Sequence, residues 1–163
     1  MGIDPGLGGA IAVIDEALEV QHLVPMPVIA GKNGRRVYDL PAIHRHLLLP
    51  DNRQLFVTLE KGQPLPPKMG GGIANYGRGL GRGIFEGMLC ALRIPYQLVA
   101  PRTWQKVCHE GTSGDDLKQR SIVAAQRLFP SMSLLRTERC RKPDDGLAEA
   151  LLIAHYGARG GRS

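Results

Sequence analysis

The sequence predicts an α/β fold with a mixed central sheet and helices on its faces. Three observations predict it: apolar, β-rich segments come first, such segments then alternate with helix-patterned ones, and the chain closes on helices. No internal repeat or second domain interrupts this order, so residues 1–158 read as one domain and 159–163 as a frayed, disordered tail. A chain of 163 residues, 43% of them hydrophobic, is long and apolar enough to bury a core.

Residues 1–14 read as two extended pieces about a glycine turn. Ile3 and the apolar run from Ala10 to Ile14 flank Pro5-Gly6 and Gly8-Gly9. Few residues precede Asp4, so the first strand is either short at that end or continued by sequence further upstream. Residues 18–24 alternate roughly as a strand that Pro25 and Pro27 end. Lys32-Asn33-Gly34-Arg35 marks a turn, and Val37-Tyr38 a short edge strand. Asp39 is placed to cap a helix over residues 41–49, with Pro41 in its first turn and His44, Arg45 and His46 on a basic face.

Residues 55–59 are β-rich and deliver Glu60. A proline-rich loop over 61–69 and three glycines follow, then a long helix over 75–93. Its Gly79, Gly83 and Gly87 fall on one side of that helix. Each costs about 1 kcal/mol relative to alanine, so the stripe implies close approach of another backbone, either the sheet's or that of a second copy. Residues 95–99 form a strand and 101–108 a short helix. After a glycine-containing connector, Asp115 or Asp116 caps a helix that runs to Phe129 and is stopped by Pro130. Residues 136–142 are a basic loop. Pro143-Asp144-Asp145 opens a last helix with Leu147, Ala148, Leu151, Leu152 and Tyr156 at helical spacing.

Composition narrows the function. Lys and Arg outnumber Asp and Glu by 21 to 15, which favours a polyanionic partner, nucleic acid before membrane. No apolar run reaches the roughly 18 residues of a membrane span, and no signal-peptide pattern opens the chain. Cys90, Cys108 and Cys140 are odd in number and widely spaced, which fits neither a disulfide framework nor a CxxC zinc pattern. A reducing compartment, the cytoplasm, is expected. Cys108-His109 has no second half at metal-ligand spacing.

The chemistry concentrates in Asp4, Glu60 and the pair Asp144–Asp145. Each lies at the expected end of a buried strand or start of a buried helix, where a carboxylate is costly unless something positive satisfies it. Acids brought together from distant segments commonly hold Mg²⁺ or Mn²⁺. Two such ions about 3.5–4 Å apart suit phosphodiester hydrolysis. Acids in a first helical turn are also ordinary caps favoured by the helix dipole, so the pair at 144–145 has a purely structural alternative.

Taken together, Gly2-Ile3-Asp4-Pro5-Gly6, an apolar strand ending in Glu60, and Asp145-Gly146-Leu147-Ala148 before an apolar helix resemble RuvC-type Holliday-junction resolvases. Ala74-Asn75-Tyr76-Gly77-Arg78-Gly79 and Lys142-Pro143-Asp144-Asp145-Gly146-Leu147-Ala148 look most like bacteriophage-encoded members. The resemblance runs from residue 2 to about residue 158. It implies an RNase H-like fold, a five-stranded mixed sheet flanked by helices on both faces. It also implies a homodimer that cuts opposing strands of a four-way DNA junction in the bacterial host cell, with two Mg²⁺ or Mn²⁺ ions per site.

Carried over residue by residue, Asp4, Glu60 and Asp145 match metal-binding positions. The family's His or Asp three residues before the last acid is Lys142 here, which makes Asp144 the natural substitute. Glu149, one turn after Asp145, is either a supporting group or a surface residue. The loop after Glu60 resembles the segment that wedges a bulky side chain into the crossover, with Leu65 and Met69 as candidates and Lys68 beside them. Lys118 matches a lysine near the scissile phosphate, and Lys106 is a looser match that competes with Gln105. Arg78, Arg82 and Lys142 are candidate DNA contacts.

Three other readings are open at this stage. One is an RNase H-like nuclease for other branched DNA or hybrids. Another is a catalytically inactive junction-binding module, which the Lys142 departure leaves open. The last is an actin-like or sugar-kinase ATPase, whose phosphate loop also uses Asp-Pro-Gly but whose two lobes need a longer chain.

Overall fold

A computed structural model describes residues 1–48, 55–66 and 71–161. In chain order the elements are β1 (Gly2–Asp4), β2 (Ala10–Ile14), β3 (Val20–Pro25), β4 (Val28–Ala30), β5 (Arg36–Tyr38), α1 (Leu40–Leu47), β6 (Val57–Glu60), α2 (Gly72–Ala91), β7 (Tyr96–Val99), α3 (Pro101–Cys108), α4 (Leu117–Leu128) and α5 (Asp145–Ala158). Five strands make one sheet in the order β3-β2-β1-β6-β7. β1, β6 and β7 are parallel, and β2 is antiparallel to β1 and β3. This is the mixed five-stranded sheet that the order of segments predicts.

Strand alternation divides the core in two. Ala10 and Ala12 of β2 face a cluster with Trp104, Ala124 and the apolar residues of α5. Ile11 and Val13 face the other way, with Ile3, Val57 and Leu59, onto Ile43 of α1 and Phe85 and Leu89 of α2. α5 is buried on most of its circumference, as a helix that is apolar nearly all round must be. It lies close on β1, because a Cβ at Gly2 would run into the α5 backbone at Ala150 and Ala154. The predicted caps form: Asp39 accepts from Ala42 N, Asp116 from Gln119 N and Asp144 from Leu147 N, at 3.0, 2.8 and 3.0 Å.

Some expectations hold and several need correction. The strand at Val37-Tyr38 is an edge strand, as expected, but it lies outside the main sheet. It pairs with Val28–Ala30 in a separate hairpin. β3 ends at Pro25, as expected, and a proline is tolerated there because β3 is the sheet edge. The long helix begins at Gly72, three residues earlier than the pattern suggested. Its Gly79, Gly83 and Gly87 do not pack on the sheet, since a Cβ at any of them would meet nothing within 4 Å. The close approach occurs instead at Gly81, where a Cβ would collide with the Tyr38 hydroxyl and the Pro5 carbonyl. Residues 159–161 are not frayed: Gly160 N donates to Gly157 O and Gly161 N to Tyr156 O, both at 3.0 Å. Positive φ at both glycines makes this a helix cap. Residues 162–163 lie outside the described residues.

Candidate active site

Asp4 is the last residue of β1, and Glu60 is the last of the parallel neighbour β6. Both leave the sheet at the same edge, where α5 begins with Asp145. The turn between β1 and β2 wraps Asp4 tightly. Gly6 N donates to Asp4 Oδ1 at 3.1 Å, and a Cβ at Gly9 would overlap the Asp4 carboxylate. Gly146, at the start of α5, presses against the Gly8 carbonyl and Gly9. These glycines bring the first turn of the chain and the last helix into contact, although they are far apart in sequence.

One cavity of about 640 Å³ results, lined by Asp4, Glu60, Asp144, Asp145 and Glu149 together with Arg36, Arg78, Lys118 and Arg136. Each acid other than Asp4 has a specific side-chain partner among the described residues. Trp104 Nε1 donates to Glu60 Oε1 at 2.9 Å. Lys118 Nζ pairs with Asp145 Oδ2 at 2.6 Å. Arg136 grips Asp144 through Nε (2.7 Å to Oδ2) and Nη2 (3.2 Å to Oδ1). The same Nη2 also donates to the Gly8 carbonyl and, at 3.3 Å, to that of Gly9. Glu149 accepts from Ser121 Oγ at 3.3 Å. As the side chains stand, no three of them among the described residues are gathered closely enough to clasp one ion.

Burial raises the affinity of Asp4, Glu60 and Glu149 for protons. Desolvation, then repulsion from Asp4, pushes Glu60 up to about 7, against the pull of the Trp104 hydrogen bond and Arg78. Desolvation, then repulsion from Asp4, Glu60 and Asp145, pushes Glu149 up to about 8. Asp4 is raised by desolvation and by Asp145 and Asp144, opposed by the Gly6 N–H and Arg78. The hydrogen bond and charge of Asp145 hold the Lys118 ammonium above its ordinary range. Mutual repulsion across one cavity is what a divalent cation relieves, and an all-carboxylate donor set suits a hard cation.

The other expected residues divide. Arg78 and Lys118 line the cavity. Arg82 does not, being held at 2.9 Å by Glu86 one turn along α2. Lys106 lines a separate groove with His109 and Arg120. Lys142 is exposed and outside the cavity. Leu65 is half-buried, its backbone pinned at both N–H and carbonyl by the Asn75 amide, at 2.8 and 3.0 Å. Lys68 and Met69 lie outside the described residues. Sequence reasoning missed Trp104, Ser121 and the particular role of Arg136. The single tryptophan, in a short amphipathic helix, was the one available signal, because an indole N–H buried there needs an acceptor.

No protein-family model matches the sequence, and no curated protein matches it. The structure does have solved neighbours. T. thermophilus RuvC in complex with Holliday junction substrate superposes with a TM-score of 0.59 at 18% identity, over 98% of this chain and 94% of that one. A second Thermus thermophilus RuvC structure gives 0.52 at 17% identity, over 98% and 95%. The fold is therefore that of these RuvC structures, an RNase H-like α/β fold, matched over 98% of this chain.

Proposed function

We propose that this chain is a divalent-metal-dependent endodeoxyribonuclease that resolves four-way DNA junctions by paired, symmetric cuts, and that it works as a homodimer. One observation carries the reading: acids from β1, β6 and α5 face a single cation-rimmed cavity, on a fold shared with a protein solved on a Holliday junction. Asp4, Glu60 and Asp145 would hold Mg²⁺ or Mn²⁺. When bound, the metal supplies an activated water and neutralises charge building on the phosphate. The chain's own residues bind and orient. Arg78 and Lys118 offer positive charge at the cavity rim, where a scissile phosphate would lie. Trp104 holds the Glu60 carboxylate in one orientation.

Two cuts at a twofold junction call for two sites, and a twofold dimer supplies them. The open glycine stripe of α2, with exposed Ile73, Tyr76 and Leu80 nearby, is the face proposed for the second copy. Leu65, with Met69 and Lys68, is the proposed crossover wedge, and Arg82, Lys106 and Lys142 are outlying phosphate contacts. The similarity of residues 74–79 and 142–148 to phage-encoded members supports a resolvase acting in an infected cell's cytoplasm. Among the described residues, no helix is long and apolar enough to cross a membrane.

A second reading, an inactive junction-binding module, draws support from the ungathered carboxylates and from Lys142. Incubation with labelled four-way junctions, forks and RNA–DNA hybrids, with Mg²⁺ or with EDTA, separates these readings. The proposal expects metal-dependent cutting of the four-way junction. Binding without cutting in Mg²⁺ supports the inactive module.

A further inference from the structure

We infer that Glu149, and not Asp144 or the residue at position 142, is the fourth metal-holding carboxylate of this chain. The inference rests on the proposed metal-dependent activity and deepens it.

Asp144 is committed elsewhere. Its Oδ1 accepts from Leu147 N, capping α5, and from Arg136 Nη2, while its Oδ2 accepts from Arg136 Nε. Arg136 then reaches the carbonyls of Gly8 and Gly9. The Arg136–Asp144 pair is thus a latch that fastens the β1–β2 turn to the start of α5. Surrendering Asp144 to a metal would undo a helix cap and strand a guanidinium. Lys142 carries the wrong charge and lies on the exposed loop.

Glu149 has the opposite character. It is one helical turn beyond Asp145, so the two side chains share a face of α5. It lines the same cavity as Asp4, Glu60 and Asp145. Its one hydrogen bond comes from Ser121, a fully buried hydroxyl that also contacts Leu117 O and His109 Nε2. Among the described residues no cation pairs with it, although the protein as a whole is strongly basic. A half-buried carboxylate with a single hydroxyl donor is poorly satisfied. A cation entering the cavity is the partner it lacks.

The test is calorimetric titration of Mn²⁺ into the full chain, wild type and variants, with no DNA present. Glu149→Gln and Asp4→Asn are expected to weaken Mn²⁺ binding on the order of 100-fold, at or beyond the loss caused by removing a supporting group. Asp144→Asn is expected to stay within about 3-fold of wild type for Mn²⁺ while melting at a lower temperature, since it damages the latch. Glu149→Asp, which keeps the charge but withdraws it by one methylene, should fall between. Wild-type affinity in Glu149→Gln, or loss of binding in Asp144→Asn without loss in Glu149→Gln, overturns the inference and leaves the nuclease reading intact. No Mn²⁺ binding by the wild type overturns both.

Discussion

The crowded acids make a prediction about the metal-free protein that requires no activity. Replacing Glu149 with glutamine should stabilise the fold in EDTA, and the gain should depend on pH. Folding raises the Glu149 pKa from its ordinary 4.5 to about 8, through desolvation and then repulsion from Asp4, Glu60 and Asp145. The folded state therefore holds this proton more tightly than the unfolded chain. The group's contribution is fullest below about pH 4.5 and is lost as pH climbs through about 8. At about 1.4 kcal/mol per unit, the shift sets a ceiling of roughly 5 kcal/mol. Glu149 is only half-buried and shares its repulsion with three other acids, so about 2 kcal/mol is the expected net effect. In a protein of this size that moves Tm by about 4–8 °C. Thermal melts in EDTA should thus coincide for wild type and Glu149→Gln at about pH 5 and separate in the variant's favour at about pH 9. A gap that is constant across pH, or a variant that is less stable at about pH 9, would show that Glu149 is not held protonated by its surroundings.

Three further outcomes are expected. Arg136→Ala should destabilise the fold by about 2 kcal/mol in urea titrations, because it breaks a charge-assisted bidentate pair and frees two carbonyls, and Arg136→Lys should recover less than half of that. Gly83→Ala should add up to about 1 kcal/mol to the helix yet weaken self-association in sedimentation equilibrium, and unchanged association would remove α2 as the dimer face. Asp4→Asn should lower junction cleavage by at least about 1,000-fold while leaving junction Kd within about 3-fold, and both proteins should lose affinity steeply with salt in fluorescence anisotropy.

Much of the fold was legible because its signals are local. Caps at Asp39, Asp116 and Asp144, the glycine turn after Asp4 and the apolar periodicity of α5 all follow from chemistry within a few residues. What was not legible depends on contacts at long range. The partner of the strand at Val37-Tyr38 is fixed by the hairpin's own register and not by composition. The glycine stripe of α2 read equally as a contact with the sheet or as a face for a second copy, and the close contact within the chain falls instead at Gly81, against Tyr38 and Pro5. At the site, Asp4, Glu60 and Asp145 stand out as acids beside apolar runs. Arg136 does not, since one arginine in a basic loop looks like its neighbours until the fold carries it to Gly8. Glu149 was ambiguous for a similar reason, because helical spacing places it near Asp145 but cannot say which way that face turns.

We propose that carboxylates at the ends of β1 and β6 and in the first turns of α5 act together, through a divalent cation, on a branched DNA backbone. End-labelled four-way junctions, cut by the wild type in Mg²⁺ and mapped on both pairs of strands, test it most directly. Paired nicks at symmetry-related positions near the crossover are expected, abolished by EDTA and by Asp4→Asn. Scattered nicks, or cutting that persists in chelator, would contradict it.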